Sequence, residues 1–131
     1  MRLLLDTHIW LWSLLEPSRL RGTVKRALGR EDSELWLSPI SVWEALILVE
    51  RGRVILTQDP NDWINEALAK VPVREAPLTH EIAIESRRIE IPHGDPADRF
   101  LAGTAKILNL TLVTADVNLL RCKSIALLPN R

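Results

Sequence analysis

Apolar positions along this chain fall into two kinds of pattern. Leu3-Leu4-Leu5, Leu35-Trp36-Leu37 and Leu110-Thr111-Leu112-Val113-Thr114 are short and nearly unbroken, which predicts strands buried on both faces. Between them the apolar residues recur at helical spacing. Residues 7–15 read as a helix stopped by Pro17, and a second helix runs from about 19 to 29. From Ser41 to Arg51, the spacing of Val42, Ala45, Leu46 and Val49 is helical, with Gly52 as a left-handed stop. Further helices are predicted over Asp59–Lys70, over Thr79–Ile89 with Thr79 as N-cap, and from Asp95 or Pro96 to about Leu108. Val71–Val73 reads as a short strand and Ile125–Leu128 as an edge strand. Strands alternating with helices predict an α/β fold, a central parallel sheet covered by helices on both faces.

A chain of 131 residues with 47% hydrophobic content predicts a single domain over residues 1–131. Lysine plus arginine equals aspartate plus glutamate at 17 each, so recognition of a polyanion would have to come from local clusters. A single cysteine, Cys122, excludes an internal disulfide and a thiolate zinc cage. No apolar run has the length of a membrane span and the N-terminus lacks a secretion pattern, so the expectation is a soluble, cytoplasmic protein with no membrane contact. The five glycines form no G-x-G-x-x-G or P-loop cradle.

Asp6 and Asp116 each follow the carboxyl end of an apolar run, and Glu44 and Asp98 are expected in the first turns of helices. Open parallel sheets bind ligands outside the carboxyl ends of their strands, so these four acids could meet in one cleft. Clustered carboxylates repel one another unless a cation lies between them. Oxygen ligands favour Mg²⁺ or Mn²⁺, and such a site activates water and neutralises charge on a phosphodiester. Each acid also has a plain local reading. Ser41-Val42-Trp43-Glu44 is a capping box, and Asp95-Pro96-Ala97-Asp98 is a helix start with the same grammar as Asp59-Pro60-Asn61-Asp62. Ala102, Gly103 and Ala105 distinguish the later helix, since small residues allow close packing against the sheet.

The motifs L-L-L-D-T-H-I-W-L-W (3–12), L-S-P-I-S-V-W-E-A (37–45), G-R-V (52–54), H-G-D-P-A-D-R-F-L-A (93–102) and L-V-T-A-D (112–116) occur in one order and spacing. Together they resemble the PIN-domain ribonucleases, and within them the VapC-like toxins of bacterial toxin–antitoxin pairs. The resemblance implies a three-layer α/β/α sandwich and a metal-dependent endoribonuclease in which Asp6, Glu44, Asp98 and Asp116 surround Mg²⁺ or Mn²⁺. Asp98, ahead of R-F-L-A, matches the family's third acid, leaving Asp95 chiefly as the cap. Thr114 could orient a ligand or a bound water, as more weakly could Thr7 and Ser41. The resemblance further implies an RNA substrate such as tRNA or another structured RNA, a cognate antitoxin and a homodimer. Leu48, Gly94 and Ala97 depart from the lysine, arginine and phenylalanine of many relatives, which bears on substrate choice.

Trp10, Trp12 and Trp43 lie in helical apolar patterns and read as core or partner interface. Arg19, Arg21, Lys25, Arg26 and Arg30 form the densest basic stretch, a solvated helix face or an RNA-backbone contact. His8 could approach a phosphate, His93 precedes the acidic helix, and neither is assigned a catalytic role. Two other functions fit an α/β chain of this size: a catalytically inactive PIN-like binding module, and a receiver-like signalling domain. The latter predicts adjacent acids after the first strand, where Asp6 is instead followed by Thr7-His8.

Overall fold

The computed structural model describes residues 1–92 and 94–131. His93 lies outside the described residues. Five strands, β1 (Arg2–Leu5), β2 (Glu34–Leu37), β3 (Arg74–Glu75), β4 (Thr111–Thr114) and β5 (Ala126–Pro129), form one sheet in the order β3-β2-β1-β4-β5, every pairing parallel. Among the described residues six α-helices connect them: α1 (Thr7–Leu15), α2 (Gly22–Gly29), α3 (Pro39–Glu50), α4 (Pro60–Lys70), α5 (His80–Arg88) and α6 (Pro96–Leu108).

The apolar runs make a two-sided sheet because alternate residues of a strand point to opposite faces. Leu3, Leu5 and Val113 enter a core with Ile9 and Trp10 of α1, Val24 of α2, Ala45 of α3 and Ile64 of α4. Leu4 and Leu112 face the other way, onto Leu101, Ala102 and Ala105 of α6 and onto Leu119 and Cys122 beyond β4. The result is the expected three-layer α/β/α sandwich. Among the described residues no helix is long and apolar enough to cross a membrane.

Four local expectations are corrected. The stretch from 19 to 29 is a single 3-10 turn at Pro17–Arg19 followed by α2 from Gly22, with Leu20 extended between them. The third strand is Arg74–Glu75 rather than Val71–Val73; Val71 instead ends α4, its N–H bonded to the Ala67 carbonyl. Helix α3 begins at Pro39 with Ser38 as its cap, Ser38 Oγ accepting the Ile40 N–H at 3.1 Å. Ser41 is therefore an interior helical residue, the Ser41/Glu44 capping box does not form, and Glu44 sits in the second turn. Finally, Gly103 accommodates α5 rather than the sheet. A methyl there would lie 3.1 Å from the Ser86 nitrogen and 3.2 Å from the Ile82 carbonyl oxygen.

The remaining caps follow the local chemistry. Asp59 accepts from the Asn61 and Asp62 N–H groups, Thr79 from Ile82 and Asp95 from Asp98, each opening its helix. Gly52 has φ +69°, the left-handed conformation its place after α3 requires.

Candidate active site

Strand β1 stands between β2 and β4, so successive connections leave it in opposite directions and a crevice opens beyond its carboxyl end. Asp6 and Asp116 occupy the ends of the two strands bordering that point. Asp6 is held from three sides. Its backbone N–H donates to the Val113 carbonyl at 3.0 Å, Oδ1 accepts from the Thr7 N–H at 2.7 Å, and Oδ2 accepts from Thr114 Oγ1 at 2.7 Å. The Thr114 hydroxyl oxygen accepts in turn from the Asp116 N–H at 3.0 Å. One threonine thus ties the two strand-end acids together. Asp116 Oδ1 accepts from the Asn118 and Leu119 N–H groups at 2.8 and 3.1 Å, so this acid also holds a turn.

Glu44 reaches the same point from α3, with Oε1 accepting from Thr7 Oγ1 at 2.6 Å. Asp98 arrives on the first turn of α6, whose start is fixed by Asp95 Oδ1 accepting the Asp98 N–H at 2.8 Å. Asp6, Glu44, Asp95, Asp98 and Asp116, together with His8, Trp12 and Ala115, line one cleft of about 320 Å³. No lysine or arginine is among the described residues of its wall.

The electrostatics record that imbalance. Burial, followed by repulsion from Asp95, Asp116, Asp6 and Glu44, pushes the Asp98 carboxyl up to about 8. Burial also raises Asp6, against the lowering effect of its bonds from Thr114 and Thr7. Glu44 is raised chiefly by burial, with Asp6 and Asp95 adding to the rise and the Thr7 hydroxyl opposing it. All three carboxyls are thus shifted in the direction that favours the proton-bound form.

All four expected acids are brought together. Of the four supporting residues, Asp95 lines the cleft, and Thr7 and Thr114 are bonded to Glu44 and Asp6. Ser41 does not reach it: its hydroxyl is buried without a hydrogen-bond partner among the described residues. Trp10 is core, whereas Trp43 is 57% exposed and lines an apolar groove beside the cleft together with Leu48 and Ala97. Sequence reasoning left Trp12 and Ala115 out of the site. The i, i+4 spacing of His8 and Trp12 on one helix was the available signal, and their rings lie 5.6 Å apart.

Fold and site define an α/β/α domain with an acidic cleft at the switch point of its sheet. The PIN domain family model matches residues 3–124. Ribonuclease VapC22 of Mycobacterium tuberculosis (strain ATCC 25618 / H37Rv) is 33% identical over 116 residues, covering 86% of this chain and 85% of its own. Among solved structures, a chain of VapBC2 from Rickettsia felis bound to a DNA fragment from their promoter superposes with TM-score 0.74 at 15% identity, covering 98% of each chain. A chain of VapBC-1 from nontypeable Haemophilus influenzae gives 0.67 at 21% identity, also covering 98% of each. The chain belongs to the PIN-domain family, and the receiver-like reading falls away.

Proposed function

We propose that this protein is a metal-dependent endoribonuclease and the toxin of a toxin–antitoxin pair, with residues 1–131 acting as one domain. The observation that carries the reading is the cleft itself: five carboxylates line it, and among the described residues of its wall there is no lysine or arginine to neutralise them, only His8 beside Asp6. A set of that kind fits a divalent cation. Among the described residues no three acidic, histidine or cysteine side chains already converge as direct ligands. Carboxylates that share a cleft without converging suit an ion that keeps several of its waters, the habit of Mg²⁺, and Mn²⁺ suits the same oxygen ligands.

In this reading Asp6, Glu44, Asp98 and Asp116 hold the ion. When bound, the ion supplies charge neutralisation on a phosphodiester and activation of water. The chain's own groups do the positioning. Thr114 fixes the rotamer of Asp6 and, through the Asp116 N–H, the backbone that carries the second strand-end acid. Thr7 fixes Glu44 in the same way. Asp95 holds the first turn of α6, which presents Asp98. The partners in this reading are RNA, tRNA or another structured RNA, together with an antitoxin protein and a second copy of the chain, acting in the cytoplasm.

The test is cleavage of a mixed pool of tRNA and other structured RNA by purified, antitoxin-free protein with Mg²⁺ or Mn²⁺, beside EDTA and an Asp6→Asn variant. Cutting should require the metal and vanish in the variant. The loose convergence of the carboxylates is the observation favouring a binding-only domain. That alternative gains if wild type and Asp6→Asn, both folded, leave every RNA intact.

A further inference from the structure

A second recess, of about 840 Å³, lies between the end of α5, helix α6 and the segment that follows Leu119–Arg121. Arg87, Arg88, Arg99, Lys106, Arg121 and Lys123 line it, against one carboxylate among the described residues of the lining, Glu90. Lys106 is paired with Glu85 at 3.1 Å. The remaining ion pairs among the described residues are Arg2 and Arg74 with Glu34, and Arg30 with Asp32, so five of the six cations have no carboxylate partner. Arg99 is nonetheless held in place, its Nη1 donating to the Ser86 and Ile89 carbonyls at 3.0 Å each. A chain with no net charge has therefore segregated it, collecting acids in one recess and bases in another. One helix contributes to both, since Asp98 of α6 lines the cleft and the next residue, Arg99, lines the groove.

The lining also limits what can occupy the groove. Among its described residues there is no aromatic ring of the kind on which the unstacked bases of single strands stack. Its two isoleucines, Ile89 and Ile91, are buried in the core, so neither side chain stands out as a hydrophobic anchor for a protein segment. What remains is a broad set of cations suited to phosphates held in a fixed shape. Resting on the nuclease reading above, we propose that this groove seats the phosphate backbone of a folded, double-helical part of the RNA substrate while the scissile phosphate lies in the acidic cleft.

The test separates binding from cutting. Binding of unfractionated bacterial tRNA is measured in EDTA over a range of salt for wild type, for Arg121→Glu/Lys123→Glu in the groove, and for Arg21→Glu/Lys25→Glu on the rival basic stretch. All four residues are exposed, so fold is not at risk, and thermal unfolding checks it. The groove pair should weaken tRNA binding on the order of tenfold or more and make the salt slope shallower by about 2, at roughly 0.9 for each phosphate that is no longer neutralised. The rival pair should change neither, and cleavage of a short unstructured oligonucleotide in Mg²⁺ should proceed in the groove variant at the wild-type rate. Wild-type tRNA affinity and salt slope in the groove variant would overturn the proposal and leave the nuclease reading untouched, as would a weakening confined to the rival pair. An equal drop for the unstructured oligonucleotide would overturn the assignment to folded RNA. Binding through the groove without any cutting would support the groove and remove the nuclease reading.

Discussion

Replacing Asp98 by asparagine keeps the shape of the side chain and deletes its charge, and in the metal-free protein this should stabilise the fold. The carboxyl stands at about 8 in the folded chain against an ordinary 3.8. A group that binds its proton more tightly when folded contributes stability fully below its unfolded pKa and loses it as pH rises through the folded one, so the relevant window runs from about pH 4 to about pH 8. A displacement of roughly four pH units corresponds to nearly 6 kcal/mol at about 1.36 kcal/mol per unit. Asp98 is only partly buried, and water and salt screen repulsion among half-exposed carboxylates, so about a quarter to a third of that is expected, ~1.5–2 kcal/mol. For a domain of this length that is about 5–7 °C in Tm. The assay is thermal unfolding in EDTA from about pH 5 to pH 9. Wild type should lose stability across this range, and Asp98→Asn should lose less and unfold about 5–7 °C higher at the alkaline end. A residual slope in the variant belongs to Asp6 and Glu44, whose carboxyls are raised in the same direction. Parallel curves for the two proteins would refute the claim that burial, reinforced by repulsion from the neighbouring carboxylates, makes the charged form of Asp98 costly.

Other substitutions probe the supports of the site and the fold. Thr114→Val strips Asp6 Oδ2 of its donor and the Asp116 N–H of its acceptor; chemical denaturation should show a loss of ~2–3 kcal/mol, and titration calorimetry roughly 10–100-fold weaker divalent binding, with Thr114→Ser retaining most of both. Ser38→Ala should cost about 1 kcal/mol in denaturant titrations while Ser41→Ala is neutral or slightly stabilising, because only Ser38 caps α3 and the Ser41 hydroxyl is buried without a partner. The reverse order would restore the capping box at Ser41. Gly103→Ala should lower stability by ~1 kcal/mol net, since the gain in helix propensity is outweighed by a methyl pressed against the backbone of α5; a rise in Tm would show that α5 yields freely.

Much of this was legible in the chain. The strands showed as short apolar runs, and Asp59, Thr79 and Asp95 announced the helices they cap. The acids at strand ends could be placed because a parallel sheet puts its carboxyl ends on one side. The failures have physical causes. Ser38 and Ser41 both offer a capping hydroxyl, and the deciding signal was Pro39, whose missing N–H belongs at the first helical position. Strand β3 carries only Arg74 and Glu75, both exposed, so no apolar pattern marks it, and the nearby Val71 and Val73 drew the assignment instead. The basic groove joins residues of α5, α6 and the segment before β5, a proximity that local spacing does not encode.

The two margins of the sheet set how this molecule can meet others. One margin is a strand of two charged, solvent-facing residues, and the other ends in Pro129, which has no N–H to offer a neighbour. Neither invites another chain to extend the ladder, so sheets of successive molecules have little means to fuse. Contact with a second protein is left to side chains on helical surfaces, where shape and charge must match. A chain built this way can carry an apolar, two-faced sheet through a crowded solution and still choose its company.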